Sequence, residues 1–86
     1  MNIEDLVTAV MIDHEGPRNF FIRRLTVTDF ENRFNRAIFW ALQQLDGEIN
    51  ISTIYRALSN SGWAAQGIAT HLAELSGLEW KMGEAP

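Results

Sequence analysis

Thr28-Asp29-Phe30-Glu31-Asn32-Arg33-Phe34-Asn35-Arg36-Ala37-Ile38-Phe39-Trp40-Ala41-Leu42-Gln43-Gln44-Leu45-Asp46-Gly47 is the stretch that decides the fold class. Phe30, Phe34, Ala37, Ile38, Ala41 and Leu45 recur at the three- and four-residue spacing that lines one face of an α-helix. Thr28-x-x-Glu31 has the form of a capping box, in which hydroxyl and carboxylate satisfy each other's free backbone donors. Asp46-Gly47 closes the pattern, because glycine accepts the left-handed conformation cheaply. Phe39 and Trp40 fall on opposite flanks of the apolar stripe, so the second half of this helix is apolar nearly all round. Such a helix is either central or shows an aromatic patch to a partner.

Working outward, residues 2–12 place Ile3, Leu6, Val7, Val10 and Met11 at helical spacing, with Asn2 as cap and Glu4 and Asp5 in the first turn. A helix is expected there, although residues 7–12 would also suit a strand. Gly16-Pro17 then reads as a turn. Residues 19–27 are rich in aromatic and β-branched side chains without a helical stripe, and are expected to be extended. A strand there needs a partner, and residues 48–51, residues 78–82 or a second subunit are the candidates. Asn50 or Ser52 caps a further helix carrying Ile51, Ile54, Tyr55 and Leu58, ended by Asn60-Ser61-Gly62. Another runs from Trp63 to Ser76 with Ile68, Leu72 and Leu75 in register, stopped by Gly77. The expected fold is mainly α: a single domain over residues 1–86, with three or four helices around a helix-turn-helix-like core and one to three short strands.

The 86 residues have room for one core, and 47% hydrophobic residues suffice to build it. No cysteine is present, so neither a disulfide framework nor a thiolate metal site can form. His71 and Glu74, or Asp13-His14-Glu15, fall short of the three or four convergent ligands of a specific metal site. No nucleophile elbow surrounds Ser59 or Ser61, and no glycine-rich phosphate loop occurs. Neither cofactor nor catalysis is therefore expected. With an acidic rather than basic N-terminus and no apolar run of ~20 residues, the chain is expected in the cytoplasm and off the membrane.

Residues 36–82 resemble the trihelical core of winged-helix and helix-turn-helix regulators. The resemblance is carried by Ile68-Ala69-Thr70-His71-Leu72-Ala73-Glu74-Leu75, followed by Ser76-Gly77-Leu78-Glu79-Trp80. It implies a DNA-binding regulator in which Arg33, Arg36 and Arg56 grip phosphate while Gln66, Thr70 and His71 face bases. It also implies a strand beginning near Gly77-Leu78. In size and composition the chain is similar, too, to the small acidic helical proteins that bacteriophages use as assembly chaperones or inhibitors.

Charge ranks these possibilities. Seven basic residues face eleven acidic ones, a net charge of −4, and residues 63–76 contain no Arg or Lys. That surface gains little from counterion release on DNA. The basic feature that exists is Arg18, Arg23, Arg24, Arg33 and Arg36, five arginines against Asp29 and Glu31 within residues 18–36. It suits an acidic partner, or a solvated strand edge protected from aggregation. The first expectation is therefore a non-enzymatic protein-interaction module, an adaptor, inhibitor or assembly chaperone, able to pair with another protein or with itself. Its contacts are expected at Phe39, Trp40, Trp63 and Trp80, with Arg23 and Arg24 steering the partner. DNA binding is the alternative.

Overall fold

A computed structural model describes residues 3–63 and 65–83, with side chains for 3–63 and 67–77. In chain order the elements are α1 (Ile3–Asp13), α2 (Glu15–Arg24), a 3-10 turn (Val27–Asp29), α3 (Arg33–Gln44), α4 (Ile51–Asn60) and α5 (Ala65–Gly83). Helix α1 packs on α2, α3 and α5. Helix α3 also rests on the 3-10 turn and α4, and α4 on α5.

The expected strands are absent among the described residues, and the fold is all-helical. Residues 19–24 belong to α2, not to an extended segment. Gly16-Pro17 does not break the chain, because Pro17 is the third residue of α2, where a backbone N–H has no helical acceptor in any case. The guanidinium of Arg18 then donates to the carbonyl oxygens of Met11 (3.1 Å) and Ile12 (3.2 Å), joining the end of α1 to the start of α2. Phe21, Ile22 and Leu25 pack partly buried against the core. No described strand stands beside this segment, so a helix, which satisfies its own donors and acceptors, is the available way to bury those side chains.

Among the described residues the other expected strand positions form no strand either. Residues 48–50 lead directly into α4, and residues 78–82 lie within α5. Gly77 does not stop α5: positive φ among the described glycines occurs only at Gly47 and Gly62. The strand that the winged-helix resemblance implies after Gly77 is thus replaced by helix.

Local signals were read more accurately at α4. Asn50 caps it, its side chain accepting the Thr53 N–H at 2.9 Å while the Thr53 hydroxyl accepts the Asn50 N–H at 2.9 Å. At its far end Gly62 takes φ +90°. Its N–H bonds the Ser59 carbonyl, and the Trp63 N–H bonds the Leu58 carbonyl. This pair of bonds is the Schellman closure, and it turns the chain sharply toward α5.

At α3 the cap differs from the expected Thr28/Glu31 box. Asn32 holds the helix start, its Oδ1 accepting from Phe34 N (2.7 Å) and Asn35 N (3.2 Å). The 3-10 turn uses its own pair, with the Thr26 N–H donating to Asp29 Oδ2 at 2.7 Å. The core collects Met11 and Ile12 from α1, Ile38, Phe39 and Leu42 from α3, Ile54 and Leu58 from α4, and Ile68, Leu72 and Leu75 from α5.

Candidate interaction groove

Helix α3 turns one face outward from its apolar interior. Arg33, Arg36, Ala37 and Trp40 follow the i, i+3, i+4, i+7 pattern and therefore share one stripe. That stripe forms one wall of an open groove of about 500 Å³. Val27 from the 3-10 turn, and Ser61 and Trp63 from the α4–α5 turn, complete the lining. Gly62 is what brings Trp63 there: its left-handed backbone folds the turn back over the end of α4.

The two aromatic neighbours on α3 have opposite fates. Phe39 is fully buried, its ring 4.9 Å from that of Phe30. It is a core residue, so its expected place on a contact surface is corrected. Trp40, one residue on, remains 38% exposed. Trp63 is half-buried, with its ring 6.2 Å from that of Phe34.

The charges in the groove divide their work. Arg36 is committed to structure, donating from Nε (3.1 Å) and Nη2 (2.8 Å) to the Phe30 carbonyl. Arg33 is exposed, with its guanidinium 5.0 Å from the Phe34 ring centre in a cation–π placement. Ser61 spends its hydroxyl proton on the Ala57 carbonyl at 3.0 Å. Among the described residues no acidic side chain lines this groove.

Compared with protein-family models, curated proteins and solved structures, the chain matches none. The site must therefore be read from its own geometry.

Of the remaining expected contacts, Arg23 and Arg24 sit exposed on α2, outside the groove. Arg24 stacks over the half-exposed Phe20 ring at 3.8 Å and donates to the Phe20 carbonyl at 3.2 Å. Arg56 is exposed on α4 beside a second cleft, which Tyr55, Ala69 and Leu72 help to line. Thr70 is exposed on α5. The side chains of Gln66 and Trp80 lie outside the described residues.

His71 does not face outward as a base reader would. Its side chain is 11% exposed, its ring stacks on Phe34 at 5.4 Å, and its Nε2 lies 2.6 Å from Asn35 Oδ1. Asn35 is fully buried and sits at the centre of a polar network that the sequence did not announce. Its Nδ2 donates to Asp5 Oδ1 (2.7 Å) and Glu4 Oε1 (3.1 Å). With the amide nitrogen so committed, Oδ1 accepts and His71 carries its proton on Nε2. Glu4 also accepts the backbone N–H groups of Glu31 and Asn32, each at 3.0 Å, reaching 27 and 28 residues along the chain to serve the start of α3. Phe34 fits between these parts because Gly67 has no side chain: a Cβ there would come within 3.1 Å of the Phe34 ring.

Burial by itself pushes the Glu4 carboxyl upward, but the Glu31 and Asn32 N–H groups, the Asn35 amide and the Arg36 charge outweigh it. Its pKa is held below the ordinary 4.5. A carboxyl depressed in the folded state stabilises above its unfolded pKa, and that contribution is lost as pH falls through the folded value. Wild-type stability should therefore decline as pH drops below 4.5, and Glu4→Gln should be less stable at neutral pH but flatter across that acid range. Urea midpoints measured at several pH values check this; parallel pH profiles for the two proteins would rule out Glu4 as the source.

Among the described residues no three His, Cys, Asp or Glu side chains come together in a metal-binding group. None of the described helices is long and apolar enough to cross a membrane.

Proposed function

We propose that the chain is a non-enzymatic protein-interaction module whose docking surface is the Arg33–Trp40–Trp63 groove. The observation that carries this reading is the convergence of an exposed tryptophan, a half-buried tryptophan and an uncommitted guanidinium on one open cleft. Large aromatics and arginine dominate the energetics of protein interfaces, because each covers much surface at modest conformational cost. Two side chains that could otherwise argue for catalysis are committed to structure: His71 to Asn35 and Phe34, and Ser61 to the Ala57 carbonyl. Adaptor, inhibitor and assembly chaperone all fit this surface.

The helix–turn–helix arrangement of α4, Gly62 and α5 favours DNA binding as the second reading. Against it stands the described outer face of α5, where Gly67, Ala69, Thr70, Ala73, Glu74, Ser76 and Gly77 are exposed without a cation among them. Of the three arginines expected to grip phosphate, Arg36 is committed to the Phe30 carbonyl, which leaves Arg33 and Arg56 for a weak electrostatic grip.

Trp40→Glu tests the first reading. It should leave the far-ultraviolet circular dichroism of the helices in place while abolishing retention of the partner protein that the wild type captures. An unfolded variant would make Trp40 a core residue and sink the assignment. Anisotropy of a labelled random duplex at low and moderate salt tests the second reading, which requires binding that collapses as salt rises.

A further inference from the structure

We propose that the groove takes an acidic segment of its partner protein, seating one bulky apolar side chain between Trp40 and Trp63 and one carboxylate on Arg33. This inference rests on the groove being the docking surface proposed above, and it specifies what the surface selects.

Charge complementarity is the first ground. The charged residues in the lining are Arg33 and Arg36, both cationic, in a chain whose net charge is −4. A local positive spot on a protein of net negative charge orients an acidic ligand, since contacts within about 8 Å escape screening at physiological salt. Arg36 already gives two donors to the Phe30 carbonyl, and Ser61 its proton to Ala57. The planar donor fork left for a ligand is that of Arg33, which matches a carboxylate in two-point geometry.

Shape is the second ground. A volume of about 500 Å³ between two indoles and the small walls Val27 and Ala37 accepts one or two side chains, not a folded surface. Arg33 and Trp40 are two helical turns apart, roughly 10 Å at ~1.5 Å per residue. An extended partner strand spans that distance in about three residues at ~3.3 Å each. The recognised pattern is therefore a carboxylate about three positions from an aromatic or large aliphatic side chain. A polynucleotide would also bring stacking bases, but tracking its phosphates needs a row of cations where the groove offers one free guanidinium.

A random dodecapeptide library displayed on phage, selected on the wild-type protein and depleted on Trp40→Glu and on Arg33→Glu, tests this. Arg33→Glu places a carboxylate in the first turn of α3, where the helix dipole favours it, so that variant folds even if the tryptophan variant does not. Expected are peptides joining Asp or Glu to Phe, Leu or Trp at that spacing. The corresponding synthetic peptides should bind Arg33→Glu at least about tenfold more weakly and should shift the Trp40 and Trp63 indole N–H resonances of the wild type. Selection of neutral or basic apolar peptides that still need Trp40 would overturn the acidic inference and keep the groove as a docking surface. Failure to enrich any peptide dependent on Trp40 or Arg33 would overturn both. An oligothymidylate that shifts the same indole resonances at low salt more strongly than the peptides would move the site to nucleic acid and overturn the inference.

Discussion

Phe39→Ala is expected to lower the free energy of unfolding by about 3–5 kcal/mol, whereas Trp40→Ala, one position along, costs about 1–2 kcal/mol. Phe39 is entirely enclosed and lies against Phe30, so its removal forfeits both transfer energy and packing and leaves a cavity that rigid neighbours fill incompletely. Trp40 is 38% exposed and borders an open groove, so water or a rotated neighbour replaces much of what it covered. Against a total stability of about 5–15 kcal/mol for a domain of this kind, the first change threatens folding and the second does not. Urea denaturation followed by circular dichroism measures both. Should Phe39→Ala be too unstable to isolate, Phe39→Leu gives a smaller loss in the same direction. Equal costs at the two positions would mean that α3 sits rotated about its axis and that the groove is misplaced.

A loss of about 2–4 kcal/mol is expected for Asn35→Leu, even though leucine is similar in size and more apolar. The amide stands fully buried between Glu4, Asp5 and His71, donating to both carboxylates and accepting from the imidazole. Leucine would take the amide donor from Asp5 Oδ1 and from Glu4 Oε1, which keeps the Asn32 N–H, and would remove the Asn35 acceptor from a largely buried imidazole nitrogen. Losing three hydrogen bonds in a part-buried polar cluster costs more than one extra apolar contact returns. Because Glu4 also serves the start of α3, the change should couple to it. In a double-mutant cycle, Glu4→Gln with Asn35→Leu should cost less than the two single changes added together. Strict additivity, or a more stable Asn35→Leu protein, would show that the network holds α1, α3 and α5 together less than its geometry implies.

How much of this was legible in the sequence depended on how far apart the interacting residues stand. The start of α4, at Asn50 or Ser52, and its end at Gly62 were readable, since a cap or a left-handed glycine acts within four residues of itself, and the structure places the cap at Asn50. The stripe Phe34, Ala37, Ile38 and Ala41 was readable as helix for the same reason. Residues 19–24 misled because aromatic and β-branched content describes a side chain's liking for a pleated surface, not the presence of a neighbouring strand. Once Arg18 tied α2 to the end of α1, helix was the conformation that paired its own backbone. Phe39 and Trp40 were singled out together, yet only the arrival of the 3-10 turn and Phe30 decided which one turned inward. The groove wall itself had a signal in the sequence: Arg33, Arg36, Ala37 and Trp40 share one helical face. Its opposite wall had none, because Ser61 and Trp63 reach it through a turn whose direction depends on how α4 lies against α3. Glu4 was visible only as an acid in the first turn of α1, a role it exchanges for capping a helix 28 residues away.

By itself, the sequence determined that this is a single-core, mainly helical chain, where its central helices run, and that its positive charge concentrates in residues 18–36. Those properties follow from periodicity, capping and composition, which act over a few residues or over the whole chain. Tertiary structure alone decided that α2 is a helix, that α5 passes through Gly77, that Asn35 gathers two acids and a histidine, and that Arg33, Trp40 and Trp63 face one space. Each of these turns on burial and on partners distant along the chain, and those exist only once the helices have packed.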